Sequence, residues 1–453
     1  MVSDLGVPLE HLERATSIVS GFLLGYVAGI PLVAPLSDAR GRGAVYVGAL
    51  ALFAAGSVLT ASAPDLNRLV VGRAVQGFAG GALVPVSLAL VADLFPAAGA
   101  RLLALGIVAA AQEVGSLAGP IYGAAVSQWA ADLGGWRAVF WLNLPLAAVC
   151  AVLFAFALRR SRPRLPRIDA AAPAGARWSA PVGAVSLAAG MTLLVLGLYP
   201  TDATRSPVNE HALPLLAGAA VALAVFGFTR RGRPAAWGAL AVNLLVGAAL
   251  VAALAELPVL AGTLFGLDQT GSALLLSRFL LGIPVGAVLG GWLGGLDRRL
   301  PAAGGMLISA LCFWRMSAWT GLDAGATPVL FACGLGFGLV IAPVLSAVLD
   351  AAVAEEHGAA SASAVLARTA GMVAGIALLT AYGFHRFYGE LARCPRSGGG
   401  GLLPLPGAAF LACATGAARD QYHDVFLLAA VLCVIAAAVS LGLSSTRHAR
   451  PAL

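Results

Sequence analysis

The chain has 453 residues, of which 60% are hydrophobic and only 11% charged, and its mean hydropathy is +0.90. Soluble domains carry about 25% charged and 45–50% apolar residues, so this composition excludes a soluble globular protein and indicates an integral membrane protein. All of the basic residues are arginines, and the net charge of +7 indicates nothing about nucleic acid until those arginines are placed.

Apolar windows of about 20 residues are long enough to span a bilayer as helices. We find thirteen of them, near residues 15–37, 43–63, 68–94, 101–128, 137–158, 178–200, 211–229, 238–262, 272–295, 301–320, 326–350, 358–385 and 424–445. Residues 1–14 are polar and lack the charged stretch and apolar core of a signal peptide.

The arginines are divided unequally between the two sides of the predicted membrane. Sixteen lie in one set of alternate connections and the C-terminal tail, against eight in the opposite set. Because arginine-rich connections stay in the cytoplasm, we expect a cytoplasmic C-terminus in a plasma-membrane protein. Thirteen spans then leave the N-terminus outside, so one helix is expected to be missing upstream of Met1.

An internal repeat divides the chain into similar halves, as in many transporters. Three matches occur in the same order at offsets of 256 to 258 residues: FLLG at 22–25 with 279–282, Pro85 with Pro343, and Gly115 with Gly371. The repeat predicts an N-terminal bundle over residues 1–158 and a C-terminal bundle over 238–453. Region 159–237 joins them with basic linkers, expected to anchor at the membrane surface, and two extra helices.

The segment 386–423 of the C-terminal bundle lies on the predicted outer side. It combines charged ends with a glycine run and an apolar stretch. It either extends the last helices above the membrane or forms a disordered loop. Cys394 and Cys413 both lie there, where a disulfide is chemically permitted, and the sequence leaves their pairing open.

Each half also carries an acid followed by arginines after equivalent windows, as SDARGR at 37–42 and LDRR at 296–299. Such an acid can accept hydrogen bonds from helix N-terminal amides or pair with an arginine, and so latch two halves together. The candidate latch residues are Asp38, Arg40, Gly41, Arg42, Asp297 and Arg298.

The SDARGR sequence resembles the loop between the second and third helices of the major facilitator superfamily, and in particular of its fourteen-span drug:proton antiporters. Asp38, Gly41 and Arg42 match that loop, whereas Ala39 stands where the family has an arginine. We therefore expect Arg40 to take that arginine's place in a weaker latch. The resemblance implies an all-α membrane fold of two six-helix bundles plus two linker helices, here with thirteen spans.

Two further motifs carry the same resemblance. GRAVQGFAGG at 72–81 is similar to the family's fourth-helix motif, and QEVGSLAGPIYG at 112–123 to the antiporter motif of its fifth helix. The first is expected to place an arginine in the cavity, and the second to allow close helix contact and a bend. The residues concerned are Arg73, Gln76 and Gly77, and Gly115, Gly119 and Pro120.

Several blocks, including HGAASASAVLARTAGM at 357–372, look like the mycobacterial triacylglycerol exporters of this family. Those proteins move lipid across the inner membrane and work with a periplasmic lipoprotein, and a set of intramembrane charges couples them to protons. Glu113 matches the family's glutamate of the fifth helix, and Arg368 its arginine of the eleventh. The family's acid on the first helix has no counterpart, because that helix is absent here.

Two acids in the spans keep alternative interpretations. Glu113 paired with Arg368 could bind a proton when the pair separates, or it could form a static ion pair that braces the halves. Glu256 lies near the outer end of its window, where it could extend to water or line a cavity.

The leading functional hypothesis is a proton-coupled exporter of a triacylglycerol-like lipid, driven by a proton gradient and without a cofactor. Multidrug efflux by drug:proton antiport fits the same fold, and a non-transporting membrane scaffold or sensor is the alternative of another class. The sequence contains no metal-ligand cluster, nucleophile motif, phosphate-binding loop or dinucleotide fingerprint, so an enzyme is not expected.

Overall fold

A computed structural model of the protein describes residues 16–131, 134–161, 211–229, 234–376, 381–394 and 408–444, with residue 379 and scattered positions between 182 and 197. Within these residues the secondary structure is helical and includes no β-strand. The all-α fold class predicted from the sequence is therefore confirmed.

The N-terminal bundle is built from five long helices. They are α1 (Thr16–Arg40), α2 (Arg42–Ala61), α3 (Leu66–Leu94), α4 (Ala98–Trp129) and α5 (Trp136–Ser161). One further helix, α6 (Ala212–Thr229), lies at the second of the two extra windows. Only scattered positions of the first extra window, 178–200, are described, and most of the basic linkers lie outside the described residues.

The C-terminal bundle begins with a helix that changes its winding. Helix α7 (Pro234–Val251) continues through a π-helical turn (Ala252–Glu256) into α8 (Leu257–Thr263). The remaining helices are α9 (Gln269–Gly294), α10 (Arg299–Ser317), α11 (Ala326–Asp350), α12 (His357–Gly375), α13 (Ala381–Leu391) and α14 (Ala408–Leu441).

The helices follow the predicted windows closely. In the described part of the chain, nine helices are long and apolar enough to cross a membrane. Shorter helices α6, α10 and α12 occupy three other windows. The clearest difference is the last helix, which was expected over 424–445 and begins instead at Ala408.

The early start of α14 makes it far longer than a bilayer requires. Its 34 residues span about 51 Å at 1.5 Å per residue, against a hydrocarbon core of about 30 Å. Helix α13 packs beside its first part, where Arg386 Nε donates to Asp424 Oδ2 at 3.0 Å. A disulfide joins Cys394 to Cys413. The described parts of 386–423 therefore extend the last helices beyond the membrane, and residues 395–407 lie outside the description.

Glycines hold equivalent helix pairs together in the two halves. A Cβ on Gly25 or Gly77 would overlap backbone atoms of the facing helix in the α1–α3 pair, and Gly282 and Gly338 are equally close in the α9–α11 pair. Membrane helices use such small residues to bring their backbones into contact. The sequence repeat thus corresponds to a repeated mode of packing.

We expect Gly77→Val to destabilise the protein strongly. A Cβ at Gly77 would overlap the Phe22 carbonyl oxygen, so the backbones of α1 and α3 would have to separate. Overpacking a core costs about 1–3 kcal/mol, and a backbone clash should reach the upper part of that range. Thermal unfolding of the purified protein measures the loss.

Gly115→Val is the matched control for this change. Its Cβ would meet no atom within 4 Å in the described structure, so the unfolding temperature should stay close to that of the wild type. Equal destabilisation by both variants would contradict the assignment of Gly77 to a helix contact.

The two bundles approach each other where α4 crosses α9. A Cβ on Gly106 would lie 2.5 Å from the Ala287 carbonyl oxygen, and one on Gly291 would lie 2.5 Å from the Leu102 carbonyl oxygen. The halves therefore meet there with their backbones in close contact.

Candidate functional site

One end of the bundles is closed by a cluster of ionic contacts. At this end, which we call the latch end, α1, α3, α9 and α11 finish and α2, α4, α10 and α12 begin. The arginine distribution predicts that it faces the cytoplasm.

Asp38, near the end of α1, binds the start of α12 in the other half. Its Oδ1 accepts a hydrogen bond from the Gly358 amide at 2.9 Å, and its Oδ2 accepts one from the Ala359 amide at 3.0 Å. Free amides and the positive end of the helix dipole favour a carboxylate at this place. A Cβ on Gly358 would lie within 2.7 Å of Asp38 Oδ1, so a larger residue there would displace the acid.

Arg42 connects three elements at the latch end. Its Nη2 donates to Asp38 Oδ1 at 2.9 Å and to the Ala354 carbonyl oxygen at 2.6 Å, and its Nη1 pairs with Asp93 at the end of α3. The residue is only 6% exposed. A buried guanidinium is strongly destabilising unless it is paired, and here each terminal nitrogen has a partner.

The C-terminal half repeats this arrangement with a different contact between the halves. Arg298 is 1% exposed, and its Nη1 donates to Asp350 Oδ2 at 2.6 Å. Arg101, at the start of α4, pairs with the same Asp350 from the other half. At the equivalent place in the N-terminal half, where Arg42 pairs with Asp93, His357 Nδ1 lies 3.6 Å from Asp93 Oδ1.

Two of the predicted latch residues do not act as expected. Arg40 is exposed, and Arg42 rather than Arg40 contacts Asp38. Asp297 accepts a hydrogen bond from the amide of Arg299 at 3.1 Å, which is a local contact within its own half. Gly41 has a φ of 93°, so it supplies the left-handed turn between α1 and α2 that other residues rarely adopt.

Four further residues at the latch end are not among those predicted from the sequence: Asp93, Asp350, Arg101 and His357. A signal for them was present in the sequence. Asp93 and Asp350 are 257 residues apart, and Arg101 and His357 are 256 apart, which are offsets of the internal repeat. Applying the repeat to charged residues would have found both pairs.

Glu113 on α4 and Arg368 on α12 form an ion pair between the two halves. Arg368 Nη2 donates to Glu113 Oε1 at 3.2 Å, and the two side chains are 23% and 20% exposed, respectively. The pair therefore joins the bundles away from the latch end, and both of its side chains remain partly exposed.

Arg73 on α3 lies in a separate polar network of the N-terminal bundle. Its Nη1 donates to Gln76 Oε1 at 2.7 Å, and Gln76 Nε2 donates to Ser57 Oγ at 2.7 Å. The guanidinium carbon lies 4.3 Å from the centre of the Phe22 ring, a distance suited to a cation–π contact. Arg73 thus has the acceptor that an arginine in a span requires.

The glycines of the fifth-helix motif are not used as predicted. A Cβ on Gly115 or Gly119 would meet no atom within 4 Å in the part of the chain that the structure describes. Within that part of the chain, no helix makes the close contact expected at these residues. The side chain of Pro120 lies outside the described residues.

The arrangement fits conformational coupling rather than bond chemistry. Ionic contacts close one end of the two bundles, and a separable acid–base pair joins them deeper in the protein. Among the described residues, no group of three or more histidines, cysteines or acids is placed to hold a metal ion.

Comparison with known proteins gives a consistent result. A family model described as Major Facilitator Superfamily matches residues 2–376. A triacylglyceride transporter of Mycolicibacterium smegmatis is 40% identical over 99% of this chain and 83% of its own length. A triacylglyceride transporter of Mycobacterium tuberculosis is 37% identical over 99% of this chain and 90% of its own length.

Solved structures resemble the fold at low sequence identity. The outward conformation of the transporter FucP aligns with a TM-score of 0.58 at 15% identity, and the alignment covers 94% of this chain and 90% of FucP. The human organic anion transporter MFSD10 aligns with a TM-score of 0.55 at 18% identity, covering 95% and 87% of the two chains. These likenesses concern the fold alone.

Proposed function

Because this chain belongs to the Major Facilitator Superfamily, a family of membrane transporters, we propose that it exports a triacylglycerol-like lipid across the plasma membrane by alternating access. It is a multi-pass membrane protein and a transporter rather than an enzyme. The observation that carries the mechanism is the Glu113–Arg368 ion pair between the halves.

The latch end supports alternating access. Asp38 and Arg101 each hold a partner in the opposite half, so opening this end requires both contacts to break. A structure with this end closed corresponds to one of the two states that an alternating-access cycle needs. With the latch end in the cytoplasm, release of substrate would take place on the outer side, and the C-terminus would be cytoplasmic.

We infer that the energy comes from a proton gradient. The Glu113 carboxylate cannot keep its ion pair and bind a proton at the same time, so protonation would release Arg368 and loosen the contact between α4 and α12. A ligand shifts a conformational equilibrium only when it binds the two conformations with different affinity. Because the ion pair forms in one conformation and is lost in the other, Glu113 would bind a proton with a different affinity in each. The transporter would then need no cofactor.

The lipid substrate is proposed from the names of the relatives, which are 36–40% identical, and from the apolar composition of the spans. The long α14, its partner α13 and the disulfide between Cys394 and Cys413 form a projection on the predicted outer side. We propose that it receives a periplasmic lipoprotein that accepts the lipid, because a triacylglycerol released into water would need a carrier.

Reconstitution tests the proposal. Vesicles containing the purified chain and a fluorescent triacylglycerol should transfer lipid to an acceptor when a pH gradient is imposed, and should not do so after the gradient is collapsed. Transport of lipophilic cationic dyes without lipid transfer would indicate multidrug efflux instead. A folded protein that transports neither would support the scaffold interpretation.

A further inference from the structure

Glu256 is an acid that the proposed transport mechanism leaves unused. It ends the π-helical turn between α7 and α8 and is only 6% exposed. The sequence allowed this side chain to extend to water, and the structure instead buries it within the C-terminal bundle. Glu256 follows Gly247 by nine residues, and Gly247 packs against the backbone of Arg368. Glu256 therefore lies at a different depth in the bundle from the Glu113–Arg368 pair.

No cation neutralises Glu256 among the described residues. The elements packed against the π-helical turn carry these charged or titratable side chains: Arg278 on α9, and Arg419, Asp420, Tyr422, His423, Asp424 and Cys433 on α14. Arg278 is exposed and donates to the Thr327 hydroxyl at 2.9 Å, and Arg419 is exposed. Neither makes an ion pair with Glu256.

The surroundings of Glu256 favour a carboxyl group that carries a proton. Leu257 and Leu260 beside it belong to the buried apolar core of the bundle. An ionised carboxylate without a cation is costly in such surroundings, and buried groups of this kind take up a proton instead. Isolated π-helical turns in α-helices frequently mark functional sites.

A polar connection leads from this site towards the surface. Tyr422 is 4% exposed and lies on α14, which packs against the π-helical turn that contains Glu256. Its hydroxyl lies 3.0 Å from Thr263 Oγ1, and Thr263 is exposed at the end of α8. The two hydroxyls can each donate and accept a hydrogen bond, which is what proton exchange between a buried acid and water requires.

We propose that Glu256 is a proton-binding site of the C-terminal bundle, separate from the Glu113–Arg368 pair and connected to the outer side through Tyr422 and Thr263. The site binds a proton while the π-helical turn packs against α14 and releases it when the turn and α14 separate. This proposal does not depend on the identity of the transported substrate.

Infrared spectroscopy of the full chain in lipid nanodiscs tests the site without transport. At neutral pH the wild type should show a carboxylic-acid carbonyl band in addition to the ester carbonyl absorption of the lipids, which is the same for every variant. Glu256→Gln should abolish this band. Glu390→Gln, the same change in an exposed pair with Arg393, should leave it unchanged, and so should Glu113→Gln.

Tyr422→Phe provides a second readout that does not remove the acid. It should keep the band and shift its frequency, because the variant removes the neighbouring hydroxyl dipole. It also keeps the proposal testable if Glu256→Gln does not fold. A wild type without the band, a band that persists in folded Glu256→Gln, or one insensitive to Tyr422→Phe would overturn the proposal. Lipid transfer could fail while the band behaves as expected, so the two proposals fail separately.

Discussion

Glu113→Gln is expected to abolish gradient-driven lipid transfer while leaving the protein folded. The glutamine amide oxygen can still accept a hydrogen bond from Arg368, which donates to Glu113 Oε1 at 3.2 Å in the wild type. The variant lacks the carboxylate, which can either form the ion pair with Arg368 or bind a proton. Transfer should fall to the level of protein-free vesicles at every pH gradient, measured with a fluorescent triacylglycerol in the reconstituted system.

Two variants separate coupling from structure in this experiment. Glu113→Asp keeps an ionisable group and should retain part of the transfer. Glu390→Gln makes the same chemical change in the outer projection, where Glu390 pairs with Arg393 at 3.0 Å, and should transfer lipid as the wild type does. Undiminished, gradient-dependent transfer by Glu113→Gln would mean that the pair is a static brace between the halves.

Asp38→Asn is expected to open the latch end. The change removes the ion pair with Arg42, and the new amide nitrogen cannot accept the hydrogen bond from the Ala359 amide. Leaving a buried donor unsatisfied costs about 1–3 kcal/mol, and this cost falls on the closed state alone. Amide hydrogen exchange at Gly358 and Ala359 should therefore become faster, as mass spectrometry of the first peptide of α12 would show.

Asp297→Asn is the matched control from the repeated half. Asp297 occupies the corresponding position after α9, yet its carboxylate contacts only the Arg299 amide of its own half in the described structure. Exchange at the start of α12 should therefore stay at the wild-type rate. Equal acceleration by both variants would show that the carboxylate of Asp38 has no special role in closing this end.

The sequence predicted the helices well because length and apolar composition decide membrane insertion locally. The last helix was the exception, and its early start has a physical cause. Its first part carries Arg419, Asp420, His423 and Asp424, which lower the hydropathy of any window that includes them. Beyond the bilayer a helix can carry such residues without cost, so hydropathy marks the membrane boundary rather than the end of the helix.

The sequence predicted contacts of the candidate site where both partners lie in one motif. It did not predict contacts between residues that only the fold brings together. Asp38 and Arg42 lie four residues apart in one motif, and the structure brings them together. The position of Asp93 beside Arg42 depends on how α2 packs on α3, which no local pattern reports. Gly115 illustrates the converse, because a glycine shows that close contact is possible and does not show that a partner is present.

The crossing of α4 and α9 has a mechanical consequence. Backbone meets backbone at Gly106 and Gly291, so the axis about which one bundle tilts against the other can pass through this contact. The crossing can serve as the pivot of this motion and stay in contact in both states of the transport cycle, while the ion pairs beside it form and break. The contacts that break on tilting then lie away from the crossing, and they include ion pairs that a proton or a substrate can change.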